Sequence, residues 1–186
     1  MVSRGEVRRK GVHLIGLIVP LLYHAVGKFA TLSFVAVWTT LFIAGEIYRL
    51  RRGMPREVER IAAPMMRRRE RKGVGGHVFF SLGLFTAVLF YDKDVVTAVA
   101  LITVLADGAA AVVGVHVGRH RLLGKKTLEG TLALIGVAFI TSLWFVGRVL
   151  ALVGALVAGL VELLPVDDNL TLPVLSGLAM MAARYL

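Results

Sequence analysis

The sequence contains no cysteine. Disulfides and thiolate metal sites are therefore excluded. Charge is also scarce: charged residues make up 18% of the 186 positions, against about 25% in an ordinary globular domain. Acids are the scarcer sign, 12 against 22 lysines and arginines. No G-x-x-x-x-G-K-[ST] phosphate loop occurs. The apolar segments share no motif, so the inverted repeats that many small transporters carry are missing. His24, His77, His116 and His120 show no metal-ligand spacing. His116 and His120 sit one helical turn apart, but Gly118 and a helix end intervene.

What is present is apolar. Hydrophobic residues reach 57% and the mean hydropathy is +0.77. They fall in blocks of about 16–25 residues, the length of a membrane-spanning helix. The expected spans are 11–27, 29–48, 76–91, 94–118, 130–147, 149–165 and 170–186. The sequence thus predicts an all-α, polytopic membrane bundle of about seven helices in one domain over 1–186. The basic head "SRGEVRRKG" resembles the start of a secretory signal. No small-x-small cleavage site follows "HLIGLIVPLLYHAVG", so the first helix is expected to be retained.

Basic residues cluster before the first span, between the second and third, and between the fourth and fifth. Eighteen of the 22 lysines and arginines lie there; Lys28, Lys93, Arg148 and Arg184 lie on the other side. The positive-inside rule then places the N-terminus and the basic segment 49–75 in the cytoplasm. In a soluble protein the net charge of +10 would point to nucleic acid. Here it reports orientation and anionic headgroups, and no nucleic-acid partner is expected. Within "REVERIAAPMMRRRERKG", Val58, Ile61, Ala62 and Met65 recur at helical spacing. That predicts a short helix in the headgroup layer, or a flexible basic loop near anionic lipid.

In this topology most acids face the cytoplasm. Glu46, Glu129 and Glu162 lie in or at the edge of apolar runs, Glu70 lies in the basic segment, and Asp167, Asp168 and Asn169 precede the last span. Asp107, in "VLADGAAAVVGVHVG", is deeper. It lies about eleven residues before the end of its span, about 16 Å along an ideal helix. A charge at that depth costs at least about 2.5–3.5 kcal/mol. It has to be paired, coordinated or reached by water. Ala106, Ala110, Gly114 and Gly118 form a small-residue stripe that permits close helix contact. Gly108 is expected to let the helix break beside the carboxylate.

The next segment, "GRHRLLGKKTLEGTLAL", leads two lysines into a helix N-terminus, where free N–H groups favour anions. Lys125 and Lys126 suit phosphate as compact charges. Glu129 would hold a divalent ion; alternatively Thr127 or Glu129 merely caps the helix.

Three stretches together resemble one family. "ADGAAAVVGVHVGRHRLLGKKTLEGT" resembles the central signature of the CTP-dependent lipid-alcohol kinases, which include dolichol, phytol and fungal-type diacylglycerol kinases. "EVRRKGVHLIG" resembles their N-terminal basic-plus-His element, and "VELLPVDDNLTLPVLSGL" their late acidic element. "KKTLEGT" and "DDNLTLP" look closest to the dolichol (polyprenol) kinase branch. The resemblance covers nearly the whole chain, which looks like the catalytic core of the longer eukaryotic enzymes. Such short forms are typical of prokaryotes, archaea especially, which implies a multi-pass protein of the cell membrane. It implies transfer of the γ-phosphate of CTP to an isoprenoid alcohol at the cytoplasmic face, with Mg²⁺.

On that reading Lys125, Lys126, Thr127, Gly130, Arg9, Lys10 and Asn169 bind the nucleotide, with Asn169 alternatively capping the last helix. Asp107 acts in catalysis or on the metal. Glu129, Glu162 and Asp168 are further metal candidates, and His13, Glu46 and Glu70 are weaker site candidates. Two other readings remain open. A CTP-dependent phospholipid cytidylyltransferase would form a CDP-lipid and release pyrophosphate. A small transporter would turn over no nucleotide.

Overall fold

The computed structural model describes residues 4–67, 69–124 and 126–185. Lys125, one of the expected phosphate ligands, lies outside the described residues. The regular structure of the described residues is helical, with one isolated bridge between Arg121 and Thr127. In chain order the helices are α1 (Arg4–His13), α2 (Ile18–Arg52), α3 (Arg56–Ala62), α4 (Gly76–Phe90), α5 (Lys93–Leu101), α6 (Asp107–His116), α7 (Leu128–Glu162) and α8 (Asp168–Ala183). A 3₁₀ turn, Leu14–Leu17, joins α1 to α2, and a π-helical turn, Ile102–Ala106, joins α5 to α6.

Two of these helices are too long to be straight. At 1.5 Å per residue, 35 residues would span about 52 Å. Each breaks at a glycine in the left-handed region, Gly27 at φ +82° and Gly147 at φ +79°. Only glycine enters that region without a Cβ clash. The contacts show that the chain turns back there. Thr131, near the start of α7, donates to Glu162 at its end, 2.8 Å away. Arg9 and Glu46 meet the adjacent glycines Gly76 and Gly75. Lys28 and Arg148 follow the two turn glycines directly, so the charges that interrupt the apolar runs mark the reversals.

The run from α5 through α6 is the buried centre. Val95, Val96, Ala98, Val99, Ala100 and Ile102 are fully enclosed. α7 packs on it, and α8 packs on both α4 and α7. The outside is the inverse of a soluble protein's surface. Phe29 is 86% exposed and Trp144 85%, and Leu21, Leu160 and Val149 are also open. Three helical runs, Arg8–Arg52, Lys93–His116 and Leu128–Glu162, are long and apolar enough to cross a membrane. An apolar outer surface of this extent suits lipid, and with these three runs it supports an integral membrane protein.

The expected break at Gly108 does not occur. Gly108 sits inside regular α6, and the irregularity lies one turn earlier, where the helix widens at Ile102–Ala106. A π-turn leaves the helix continuous and shifts its facing residues by one position. The small-residue stripe does mediate close contact. A Cβ on Gly130 of α7 would come within 3.0 Å of the Ala110 carbonyl and 3.5 Å of the Gly114 Cα. The expected surface helix in the basic segment is α3. It has no buried residue, and Ile61 stands 72% exposed.

Candidate functional site

The buried charges gather at one end of the bundle, opposite the turns at Gly27 and Gly147. α1 brings two cations there. Lys10 donates to Asp107, the first residue of α6, and both side chains are almost fully buried. Arg9 donates to Glu70 at 3.1 Å. Both α1 residues are basic and lie side by side, yet they diverge, Lys10 to α6 and Arg9 to the loop ahead of α4.

The second half of the cluster is built by α7, α8 and the segment before α7. Lys126 Nζ lies 3.1 Å from Glu162 and 3.4 Å from Asp168, bridging the end of α7 to the start of α8. Glu162 also accepts from Thr131 at 2.8 Å. Arg67 reaches Asp168 at 3.5 Å, and its backbone N–H donates to Glu70 at 2.9 Å. Asp168 is therefore the hub. Burial would raise its carboxyl, but the charges of Lys10, Lys126, Arg67 and Arg9 outweigh that and hold it well below the usual carboxylate range. It lies just ahead of the expected 170–186 span.

Among the described residues, Asp168 Oδ1, Asn169 Oδ1 and His13 Nδ1 are buried without a hydrogen-bond partner. Such atoms are costly unless water or a ligand completes them. Asn169 is fully buried, and its amide nitrogen donates to Asp167 at 2.8 Å. A Cβ on Gly76 would meet Asn169, Glu70 and Arg9 together, so only glycine lets these three side chains converge. His13 stacks on Phe80, ring centres 4.3 Å apart and nearly parallel.

The sequence-expected residues divide as follows. Arg9, Lys10, Asp107, Lys126, Glu162, Asp168, Asn169 and Glu70 are brought into one connected cluster. Thr127 is the N-cap of α7 and accepts from the Gly130 N–H at 3.2 Å, so both shape that helix N-terminus. Glu129 does not cap. It accepts from the backbone N–H groups of Arg119 and His120 and pairs with the His120 ring at 2.7 Å, closing the loop before α7. The cap of α8 is Asp167, not Asn169. Asp107 has Lys10 as its partner within the chain. Glu46 is held by Arg49 at 2.7 Å and by the Gly75 N–H at 2.5 Å.

Sequence reasoning overlooked Arg67 and Gly76. Arg67 is one of ten basic residues between 49 and 72, and nothing in that run singles it out. Gly76 stood in "GVGG" directly before an apolar helix, a visible mark of close backbone approach.

A Mg²⁺ ion in a nucleotide site is held by one or two carboxylates, with phosphate and water completing the shell. Glu162 and Asp168, linked through one lysine, supply such a pair, and Asp168 keeps one oxygen without a partner among the described residues. Among the described residues no group of three or more His, Asp or Glu side chains forms a protein-only metal cage. The donor set therefore fits a cation that arrives with phosphate.

Comparison with known proteins found no matching family model and no matching solved structure. An uncharacterized protein of Rickettsia prowazekii is 26% identical over 182 residues, covering 90% of this chain and 89% of that protein. CTP-dependent diacylglycerol kinase 1 of Saccharomyces cerevisiae is 29% identical over 154 residues, covering 66% of this chain and 53% of that kinase. The protein of the same name from Eremothecium gossypii is 30% identical over 147 residues, covering 62% and 46%. The chain spans about half the length of these two kinases. This distant similarity supports the CTP-dependent lipid kinase family.

Proposed function

We propose that this chain is a single membrane catalytic domain that transfers the γ-phosphoryl group of CTP to the hydroxyl of a membrane lipid. The carrying observation is the hub at Asp168, where basic side chains from three parts of the chain meet carboxylates at the bundle's polar end. The kinship with CTP-dependent diacylglycerol kinases supports the nucleotide and the lipid.

Phosphoryl transfer requires positioning and charge neutralisation. In the ligand-free cluster the cations neutralise carboxylates. A triphosphate competes for the same cations, so Lys126, Arg67, Arg9 and Lys10 turn to phosphate oxygens as it binds. Lys125, adjacent in sequence, adds to that grip, and the α7 N-terminus shaped by Thr127 and Gly130 faces the same anion. Glu162 and Asp168, relieved of Lys126, would hold Mg²⁺, which when bound offsets charge on the phosphate oxygens. Asp107, relieved of Lys10, accepts a hydrogen bond from the lipid hydroxyl and takes its proton. The hydroxyl oxygen then bonds to the γ-phosphorus, and CDP leaves.

Orientation follows the same logic. On this reading the turns at Gly27 and Gly147 are reversals between spans, and the chain crosses the membrane seven times. The N-terminus and the basic segment 49–75 then face the cytoplasm, where CTP is. For the acceptor, "KKTLEGT" and "DDNLTLP" favour an isoprenoid alcohol of the dolichol or polyprenol type. The names of the two fungal relatives favour diacylglycerol as a second reading.

The test uses CTP labelled at either the α- or the γ-phosphate, with vesicles containing polyprenol, dolichol or diacylglycerol. Label should enter lipid from the γ-position alone. Entry from the α-position would establish the cytidylyltransferase reading. No turnover of CTP would leave the transporter reading.

A further inference from the structure

One buried ion pair lies beside the site without belonging to it. Glu46 and Arg49 sit one turn apart near the end of α2. Arg49 grips Glu46 through two nitrogens, at 2.7 and 2.8 Å. The same guanidinium donates to three backbone carbonyls of the loop before α4: Glu70 at 3.0 Å, Gly73 at 2.6 Å and Arg71 at 3.4 Å. Glu46 takes the Gly75 N–H at 2.5 Å, and His77 Nε2 approaches it at 3.6 Å. The Glu46 side chain is 4% exposed and that of Arg49 12%. Residues 71–75 form no helix. The carbonyls of Glu70, Arg71 and Gly73 and the N–H of Gly75 find partners in this pair, while the Gly73 N–H bonds the Arg69 carbonyl within the segment.

The same loop carries groups into the site. Glu70 accepts from Arg9 and from the Arg67 N–H. Gly76, just beyond, is where Arg9, Glu70 and Asn169 converge. A rigid backbone from Glu70 to Gly76 thus fixes where Arg9 and Arg67 stand relative to Asp168. α3, the helix that precedes the loop in sequence, has no buried residue.

We infer that the Glu46–Arg49 pair is a positioning clamp that sets affinity for CTP by fixing the 70–76 backbone, without touching the nucleotide; this rests on the kinase reading above. The geometry requires arginine. Its planar fork serves a carboxylate and several carbonyls at once, whereas lysine offers a single point of attachment. Lysine would still supply the positive charge that favours a helix C-terminus. Arg49→Lys therefore separates charge from geometry.

The closing experiment compares wild type, Arg49→Ala and Arg49→Lys, each purified in detergent and matched for folded protein by melting temperature. Apparent KM for CTP, KM for lipid and kcat are measured for each. A nitroxide on a cysteine replacing the exposed Arg71 reports loop mobility, which the cysteine-free background permits. Arg49→Ala should raise KM for CTP about tenfold, the scale of such indirect couplings, with kcat and lipid KM within about twofold. The label should become mobile, and Arg49→Lys should behave like Arg49→Ala. If KM for CTP is unchanged in Arg49→Ala, or lysine restores it fully, the clamp is overturned while the kinase reading stands. An immobile label in both variants overturns the clamp as well. If wild type turns over no CTP, the kinase reading falls and the inference falls with it.

Discussion

The two ends of this bundle solve the same problem in opposite ways. At the end carrying Gly27 and Gly147, the chain turns on single left-handed glycines and keeps its few charges near water. Its one described ion pair, Arg184 with Asp92 at 2.6 Å, has side chains 33% and 62% exposed. At the other end the chain uses long loops, and beside exposed pairs such as Arg69 with Asp167 it buries several charges. The Lys10 and Asp107 side chains are 5% and 3% exposed, and those of Arg9 and Glu70 9% and 3%. Exposed pairs contribute little and burden the fold little. Buried pairs are commonly no better for stability than apolar residues of similar size. A bundle that turns cheaply at one end has no structural need for buried charge at the other. The difference sets the polar end apart as the part of the bundle whose buried charges the proposed nucleotide chemistry would use.

The largest effect should come from Asp107. Asp107→Asn removes the proton acceptor and leaves Lys10 facing a neutral amide. CTP turnover should drop more than 100-fold, as loss of a general base commonly costs about 10²–10⁴. Thermal stability should fall as well, because the buried Lys10 loses its hydrogen-bonded carboxylate and breaking a buried pair costs about 3–5 kcal/mol. Turnover and detergent melting temperature are read on one preparation. Unchanged turnover would remove Asp107 from the mechanism.

Lys126→Ala should be next. It deletes the link between Glu162 and Asp168 and one charge-assisted contact to phosphate, worth about 1.5–3 kcal/mol. Apparent KM for CTP should rise about ten- to hundredfold, with lipid KM nearly constant. Equal rises in both would mark a general loosening of the site.

The smallest effect belongs to the opposite end. Arg184→Ala breaks a half-exposed pair, so stability should change by less than about 1 kcal/mol and turnover not at all. A marked loss of activity would show that charge matters equally at both ends, and the contrast would vanish.

Much of this was legible in the sequence, because the signals were local. Apolar block length marked the helical runs, and Lys28 and Arg148 located both reversals. Lys126, Glu162 and Asp168 stood out as charges at the margins of apolar runs, and the structure joins them. The pairing of Lys10 with Asp107 was not legible. The two residues lie 97 positions apart, and a single sequence carries no signal for that contact. Arg67 was hidden among equivalent arginines, since loop conformation alone decides which of them turns inward. From its place in the first turn of a helix, Glu129 reads as a divalent-ion ligand or a cap. In the structure it holds the loop backbone at Arg119 and His120, a contact set by a turn that only the folded chain reveals.

The central claim is that the buried charges serve nucleotide chemistry and are not needed for folding. The most direct test replaces the innermost pair together, as Lys10→Met with Asp107→Leu, and measures melting temperature and CTP turnover on the same sample. The apolar pair should melt at or above the wild-type temperature, because both buried charges are gone. Its turnover should be lost. A double variant that melts far below wild type, or that keeps wild-type turnover, would contradict the account.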